Sequence, residues 1–138
     1  MKIYFSGAIK GGRKHESTFL EIVTYLENCG HHVLSIHVAR ADLWAEYALP
    51  PKETFERDMK WVEASDVVIA EVSTPSLGVG YELCHALHHA KPTLCFYKSG
   101  TDLSLIILGN PHPLIKVVAY DDFSDIKSIL DSFLNSRR

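Results

Sequence analysis

Ser73-Thr-Pro-Ser-Leu-Gly-Val-Gly-Tyr-Glu-Leu-Cys-His-Ala86 is the stretch on which the fold is read. Before it stands Val67-Val-Ile-Ala-Glu-Val72, a short β-branched run that reads as a buried strand. The Pro, Ser and Gly residues then make a turn, and apolar periodicity predicts an amphipathic helix from about Val79 to Ala90. Glu82 is thereby expected in the first turn of a helix, at the carboxyl end of a strand. In open α/β sheets ligands settle at such places, where loops and helix starts converge. Gly78 and Gly80 let backbone approach a ligand closely, and free N–H groups at a helix start favour an anion by about 0.3–1 kcal/mol per charge. Ser76 adds a hydroxyl to that cradle. The dinucleotide fingerprint is not met, because Gly78-Val-Gly80-Tyr-Glu-Leu83 lacks the third glycine and follows the third predicted strand. Taken alone, the same residues equally describe a tight βα turn whose carboxylate complements the helix dipole.

Working outward, the 138 residues, 46% of them hydrophobic, suit one core, and a single domain over residues 1–138 is expected. A formal net charge of -3 gives no general pull toward nucleic acid or an anionic membrane, so neither is expected as a partner. Cys29, Cys84 and Cys95 are odd in number and show no CxxC spacing, and the opening residues read as a strand with no secretory apolar segment. A reducing compartment is expected, the cytoplasm, with the nucleus as the alternative in a eukaryote. No apolar run approaches the roughly 18 residues of a membrane span.

Lys2 to Ser6 reads as the first strand, and Gly7-Ala-Ile-Lys-Gly-Gly-Arg13 as a glycine-rich loop leading to a helix over about residues 14–29. Phe19, Ile22, Val23 and Leu26 share one face of that helix, and Gly30 suits the position just past its end. The loop is not a P-loop, since Arg13-Lys14 stands where Lys-Ser/Thr is required. Gly7, Gly11 and Gly12 with Lys10 and Arg13 still offer backbone N–H groups and two cations to an anion, and Ile9 in the same loop is counted with the substrate-binding positions. His31 to Val38 reads as a second strand, with His37 at its end facing the crevice, within reach of a base or sugar or else a plain edge histidine. Ala39 to Lys52 is long for a plain connection and is expected to act as a lid. Pro51 begins the next helix, whose apolar stripe is Phe55, Met59 and Val62 with Asp58 at its edge. A fourth strand spans Thr93 to Tyr97, and a short Leu105–Leu108 segment precedes a fifth strand, Leu114–Tyr120. A last packing helix runs from about Phe123 to Ser136.

Five strands alternating with helices predict a doubly wound, Rossmann- or flavodoxin-like α/β fold, a parallel sheet in the order 2-1-3-4-5 flanked by helices. The switch point then lies between strands 1 and 3, so the loops carrying Gly7–Arg13 and Ser76–Glu82 face one crevice. His85, His88 and His89 share a helical face, but without HExxH spacing or a completing set of donors they read as exposed or interface surface. No metal and no cofactor is expected.

Tyr4-Phe-Ser-Gly-Ala-Ile-Lys-Gly-Gly-Arg13, Glu56-Arg-Asp-Met-Lys-Trp61, Ala64-Ser-Asp-Val-Val-Ile-Ala-Glu-Val72 and Pro75-Ser-Leu-Gly-Val-Gly-Tyr-Glu-Leu83 together resemble the 2′-deoxynucleoside 5′-phosphate N-hydrolases of the nucleoside 2-deoxyribosyltransferase superfamily. The resemblance runs over nearly the whole chain in order. It implies that Glu82 is the nucleophile on C1′ of the deoxyribose, that Tyr4 orients it, and that Asp58 assists the departing base. It also implies that Gly7, Arg13, Ser76 and Gly78 surround the 5′-phosphate and that Ser104 reaches the neighbouring site in a homodimer. Lys10 stands where the mammalian members have Arg, and Ala8 where they have Ser; an ammonium does not reproduce the guanidinium fork. The activity implied is hydrolysis of the N-glycosidic bond of a 2′-deoxynucleoside 5′-monophosphate to free base and 2-deoxyribose 5-phosphate. Base exchange between deoxynucleosides, hydrolysis of a ribonucleotide such as CMP, and nucleotide sensing without catalysis are the alternatives.

Overall fold

The computed structural model describes residues 1–9 and 15–138. Five strands, β1 (Lys2–Gly7), β2 (His32–Val33), β3 (Val67–Glu71), β4 (Thr93–Lys98) and β5 (Ile115–Tyr120), form one sheet in the order β2-β1-β3-β4-β5. Every pairing is parallel, and the register sets Ile3 against Val67 and Gly7 against Glu71. This is the predicted order, and it puts the carboxyl ends of β1 and β3 side by side at the switch point. The helices are α1 (Glu16–Asn28), α2 (Trp44–Tyr47), α3 (Pro51–Ala64), α4 (Leu77–His88), α5 (Leu105–Leu108) and α6 (Phe123–Asn135). No described helix is long and apolar enough to cross a membrane.

Strand alternation sorts the core into two layers. Ile3 and Phe5 of β1 join Ile69, Leu94 and Phe96 beneath α1 and α6, where Phe19, Ile22, Leu26, Ile126 and Leu130 are buried. Tyr4, Val68, Ala70 and Cys95 face the other way, against Val62 of α3 and Val79, Leu83 and Ala86 of α4. Since Tyr4 and Ser6 are two residues apart on β1, both side chains belong to the α3–α4 side. Gly7 is required by packing, because a Cβ there would lie 2.7 Å from the Phe19 ring.

Three local expectations are corrected. The second strand is two residues long, not eight: the Ser35 hydroxyl accepts from the Phe5 N–H at 2.8 Å and donates to the Phe5 carbonyl at 2.7 Å, taking the groups a longer strand would have paired. The chain then coils into a 3-10 turn, Ile36–Val38, so His37 lies in a turn rather than at a strand end. The helix after β3 starts at Leu77, two residues earlier than expected, with Ser76 as its cap accepting from the Val79 N–H at 3.3 Å. Gly78 and Gly80 are therefore helical, and Glu82 occupies the second turn, too far in for the dipole at the helix start to explain it.

Candidate active site

At the carboxyl ends of β1 and β3, a cavity of about 430 Å³ is lined by Leu49, Pro51, Phe55, Asp58, Met59, Gly78, Tyr81 and Glu82, with Thr54 completing its wall. Asp58 comes from α3 and Glu82 from α4, and the packing of these two helices on one sheet face brings the carboxylates to the same space. On α4, Gly78 and Glu82 are four residues apart and so share a helix face. A Cβ at Gly78 would meet nothing closer than the Ser76 hydroxyl at 3.9 Å, so the glycine leaves open room beside Glu82.

Two side chains of β1 hold the Glu82 carboxylate. Ser6 donates to Oε2 at 2.9 Å, and the Tyr4 hydroxyl also hydrogen-bonds to Glu82. The Glu82 carboxyl is raised to about 7: burial drives the rise, the bonds from Ser6 and Tyr4 oppose it, and the nearby Asp58 charge adds to it. The group is thus poised between its two protonation states near neutral pH. Tyr4, 2% exposed, is held well above the usual phenol range by its burial and then by the charges of Glu82 and Asp58, so it acts as a fixed donor.

Asp58 is oriented by its neighbour in sequence, as Arg57 Nε donates to its Oδ1 at 2.9 Å. The guanidinium also reaches the Tyr47 carbonyl at 2.5 Å and lies over the Trp61 ring at 4.8 Å. His37 is buried behind this group, stacked on Tyr47 with ring centroids 4.7 Å apart and with Nε2 3.5 Å from Arg57 Nη2. Its Nδ1 is buried without a partner among the described residues. Burial and the Arg57 charge lower its basicity, against a smaller opposing pull from Asp58. It is connected to the cavity through Arg57 and does not line it.

The expected lid carries α2 and a 3-10 turn, Ala41–Leu43, tied down where Trp44 Nε1 donates to the His37 carbonyl at 2.9 Å; its Leu49 reaches the cavity. Ser76 and Ser104 line a second cavity of about 470 Å³ on the other flank of the α4 start, with Leu77, Gly80, Ile106 and Ile107. Ile9 is exposed at the end of the first described segment. Lys10, Gly11, Gly12 and Arg13 lie outside the described residues.

Sequence reasoning missed three groups. Ser6 was signalled by its place two residues after Tyr4 on the same strand face. Arg57 was signalled only by adjacency to Asp58. Glu71 was hidden in an apolar strand: it is 1% exposed, accepts from the Ser73 N–H at 2.6 Å and from the Tyr120 hydroxyl at 2.7 Å, and fixes the turn that leads to α4.

Comparison with known proteins places this chain in a family. A protein of Methanosarcina barkeri named "Putative 2'-deoxynucleoside 5'-phosphate N-hydrolase 1" is 42% identical over 134 residues, covering 96% of this chain and 84% of its own. The 5-hydroxymethyl-dUMP N-hydrolase of Rattus norvegicus is 44% identical over 112 residues, covering 78% of this chain and 68% of its own. Among solved structures, the Clostridium botulinum CMP N-glycosidase BcmB superposes with a TM-score of 0.72 over 96% of this chain and 99% of that one, at 17% identity, a likeness of fold. The model of the nucleoside 2-deoxyribosyltransferase family matches residues 3–128, and the chain belongs to that family.

Proposed function

We propose that this chain hydrolyses the N-glycosidic bond of 2′-deoxynucleoside 5′-monophosphates, with Glu82 as nucleophile. The observation that carries the reading is the convergence of Glu82 and Asp58 on one cavity, with two donors from β1 fixed on the Glu82 carboxylate. Relatives named for N-hydrolysis of deoxynucleotides support the substrate class.

The C1′–N bond breaks through an oxocarbenium-like transition state, which a carboxylate beside the anomeric carbon stabilises before closing on it. A Glu82 oxygen forms the bond to C1′ as the bonding pair leaves with the base nitrogen, and Asp58 supplies the proton that neutralises the base. Water then attacks C1′, Asp58 takes its proton, and the ester opens to regenerate Glu82 and release 2-deoxyribose 5-phosphate. Ser6 and Tyr4 hold the nucleophile's orientation, and Arg57 holds that of Asp58. Phe55 and Tyr81, about half exposed with ring centroids 5.9 Å apart, offer a stacking face to the base at the cavity rim.

The 5′-phosphate is assigned to the amino end of α4, at Ser76 and Gly78, with Gly7 at the end of β1 and Ile9 after it, and the sequence positions Lys10, Gly11 and Arg13 are proposed to complete its binding. His37 acts behind Arg57 and not on the sugar itself. Ser104 serves the site of a second copy of this chain. Leu77, Leu105 and Ile106 support that role, being 97%, 80% and 83% exposed around Ser76 and Ser104, an apolar surface that a homodimer would cover.

The test is incubation of paired dNMP and NMP substrates with the wild-type chain and with Glu82→Ala, followed by chromatography of the free base. Release of base from dNMPs by the wild type, and its loss in a folded Glu82→Ala, is expected. Near-normal release by the variant refutes Glu82 as nucleophile, and a new nucleotide on addition of a second base shows transfer instead.

A further inference from the structure

Away from the Glu82 cavity, α3 and α4 meet a second time near their carboxyl ends. His85 on α4 and His89 at its cap are four residues apart and so stand above one another, with ring centroids 4.2 Å apart. Glu63 of α3 reaches across to both. Its Oε1 lies 2.9 Å from His85 Nε2 and 3.7 Å from His89 Nε2, and one donor atom from each residue falls within 4.8 Å of the other two. Spacing along α4 supplies two donors only. The third comes from a different helix, and the expectation of bare histidine surface had no means of including it.

The arrangement fits a metal ion in three respects. Zinc holds imidazole and carboxylate donors at about 2.0–2.2 Å, so donors in a tetrahedral shell lie about 3.4 Å apart, a spacing between the two distances already present. His89 Nδ1 lies 2.9 Å from the His85 carbonyl, which can only accept. Nδ1 therefore carries the proton, and Nε2 presents its lone pair toward Glu63, the backbone-oriented state that metal-binding histidines adopt. The side chains are 20%, 44% and 35% exposed for His85, Glu63 and His89, so an ion can enter and solvent can complete its shell.

We propose that Glu63, His85 and His89 bind one divalent transition-metal ion of the zinc class. Two imidazoles and one carboxylate suit zinc, nickel or copper rather than magnesium or calcium, which prefer all-oxygen shells. The ion replaces the proton that His85 Nε2 shares with Glu63 and ties α3 to α4. Asp58 lies five residues before Glu63, and Glu82 three before His85, so the tie joins the two helices that carry the acidic pair without touching it. Its effect is on the stability of that helix pair, since a ligand that binds only the folded chain stabilises it in proportion to the logarithm of its concentration.

The test uses the untagged chain with zinc chloride, read by titration calorimetry and thermal unfolding. One ion per chain and a melting temperature that rises with zinc are expected. Glu63→Gln, His85→Ala and His89→Ala should each weaken binding by roughly 10–100-fold or more, since losing even an orienting partner costs that much. His32→Ala, an exposed histidine elsewhere, should bind as the wild type does. Glu63→Gln keeps the size of its side chain, so lost binding there is not read as misfolding. Cobalt in place of zinc should give visible bands without thiolate charge transfer. Unchanged affinity in the three variants overturns the assignment, and a thiolate band, placing the ion on exposed Cys29 or Cys84, overturns it as well.

Discussion

Replacing Ser6 by Ala removes the hydroxyl that donates to Glu82 Oε2 at 2.9 Å and leaves the rest of the cavity in place. A hydrogen bond to a charged group is worth about 1.5–3 kcal/mol, and 1.36 kcal/mol corresponds to one pKa unit, so the carboxyl should rise by about 1–2 units from its value near 7. Only the ionised form attacks C1′, so activity falls as pH drops through this pKa, and the variant's acid limb lies at higher pH. At pH 7 the ionised share drops from about half to between a tenth and a hundredth, so kcat/KM falls about 5- to 50-fold, a gap that narrows to about twofold or less by pH 9. The assay is a pH profile of kcat/KM for dNMP hydrolysis, which reports the free enzyme's ionisations. A wild-type limb in the ordinary carboxylate range near 4–5, or a Ser6→Ala limb at unchanged or lower pH, refutes the assignment of both the nucleophile and its donor.

The same displaced ionisation sets a stability term. Between about 4.5 and 7 the folded chain keeps a proton on Glu82 that the unfolded chain has lost, so stability declines as pH rises through that window. Glu82→Gln is expected to be inactive yet more stable than wild type at pH 8 by about 1–3 kcal/mol, the gap closing near pH 4 in denaturant titrations. Asp58→Asn should reduce turnover by about 10²–10⁴-fold with folding intact, measured as base release, the range expected for loss of general acid–base help. Phe55→Ala should raise KM about fivefold or more with kcat nearly unchanged if the base stacks there, since each stacked base is worth about 1–3 kcal/mol. Ser35→Ala strands the Phe5 N–H and carbonyl in the core and should cost about 2–5 kcal/mol in urea unfolding.

The sheet order was legible because parallel strands buried on both faces read as continuous apolar runs, and Val67–Glu71, every residue of it buried, is the clearest example. The edge strand was not, because His31 to Val38 carries strand-like residues while one hydroxyl, that of Ser35, decides where pairing stops. The start of α4 was misplaced because glycine signals a turn in sequence, whereas Gly78 and Gly80 lie within the helix. Glu82 and Asp58 were legible as acidic residues at predicted helix positions, and the cavity joins them. Strand alternation puts Ser6 on the face of Tyr4 but does not name its partner on α4, Glu63 meets its histidines across two helices, and Arg57 acts on the next residue of its own helix, a relation that periodicity does not mark. Glu71 was masked by the apolar strand that surrounds it.

Two glycines in the opening turns of α4 have an energetic consequence. Each lowers helix stability by about 1 kcal/mol relative to alanine, so the turn presenting Glu82 is held by the Ser76 cap and its tertiary contacts more than by its own backbone preference. Amides from Val79 to Glu82 should therefore exchange with deuterated solvent faster than those around Leu83 to Leu87. An anion seated at the amino end of the helix would slow them, making the substrate itself part of the scaffold that aims the nucleophile.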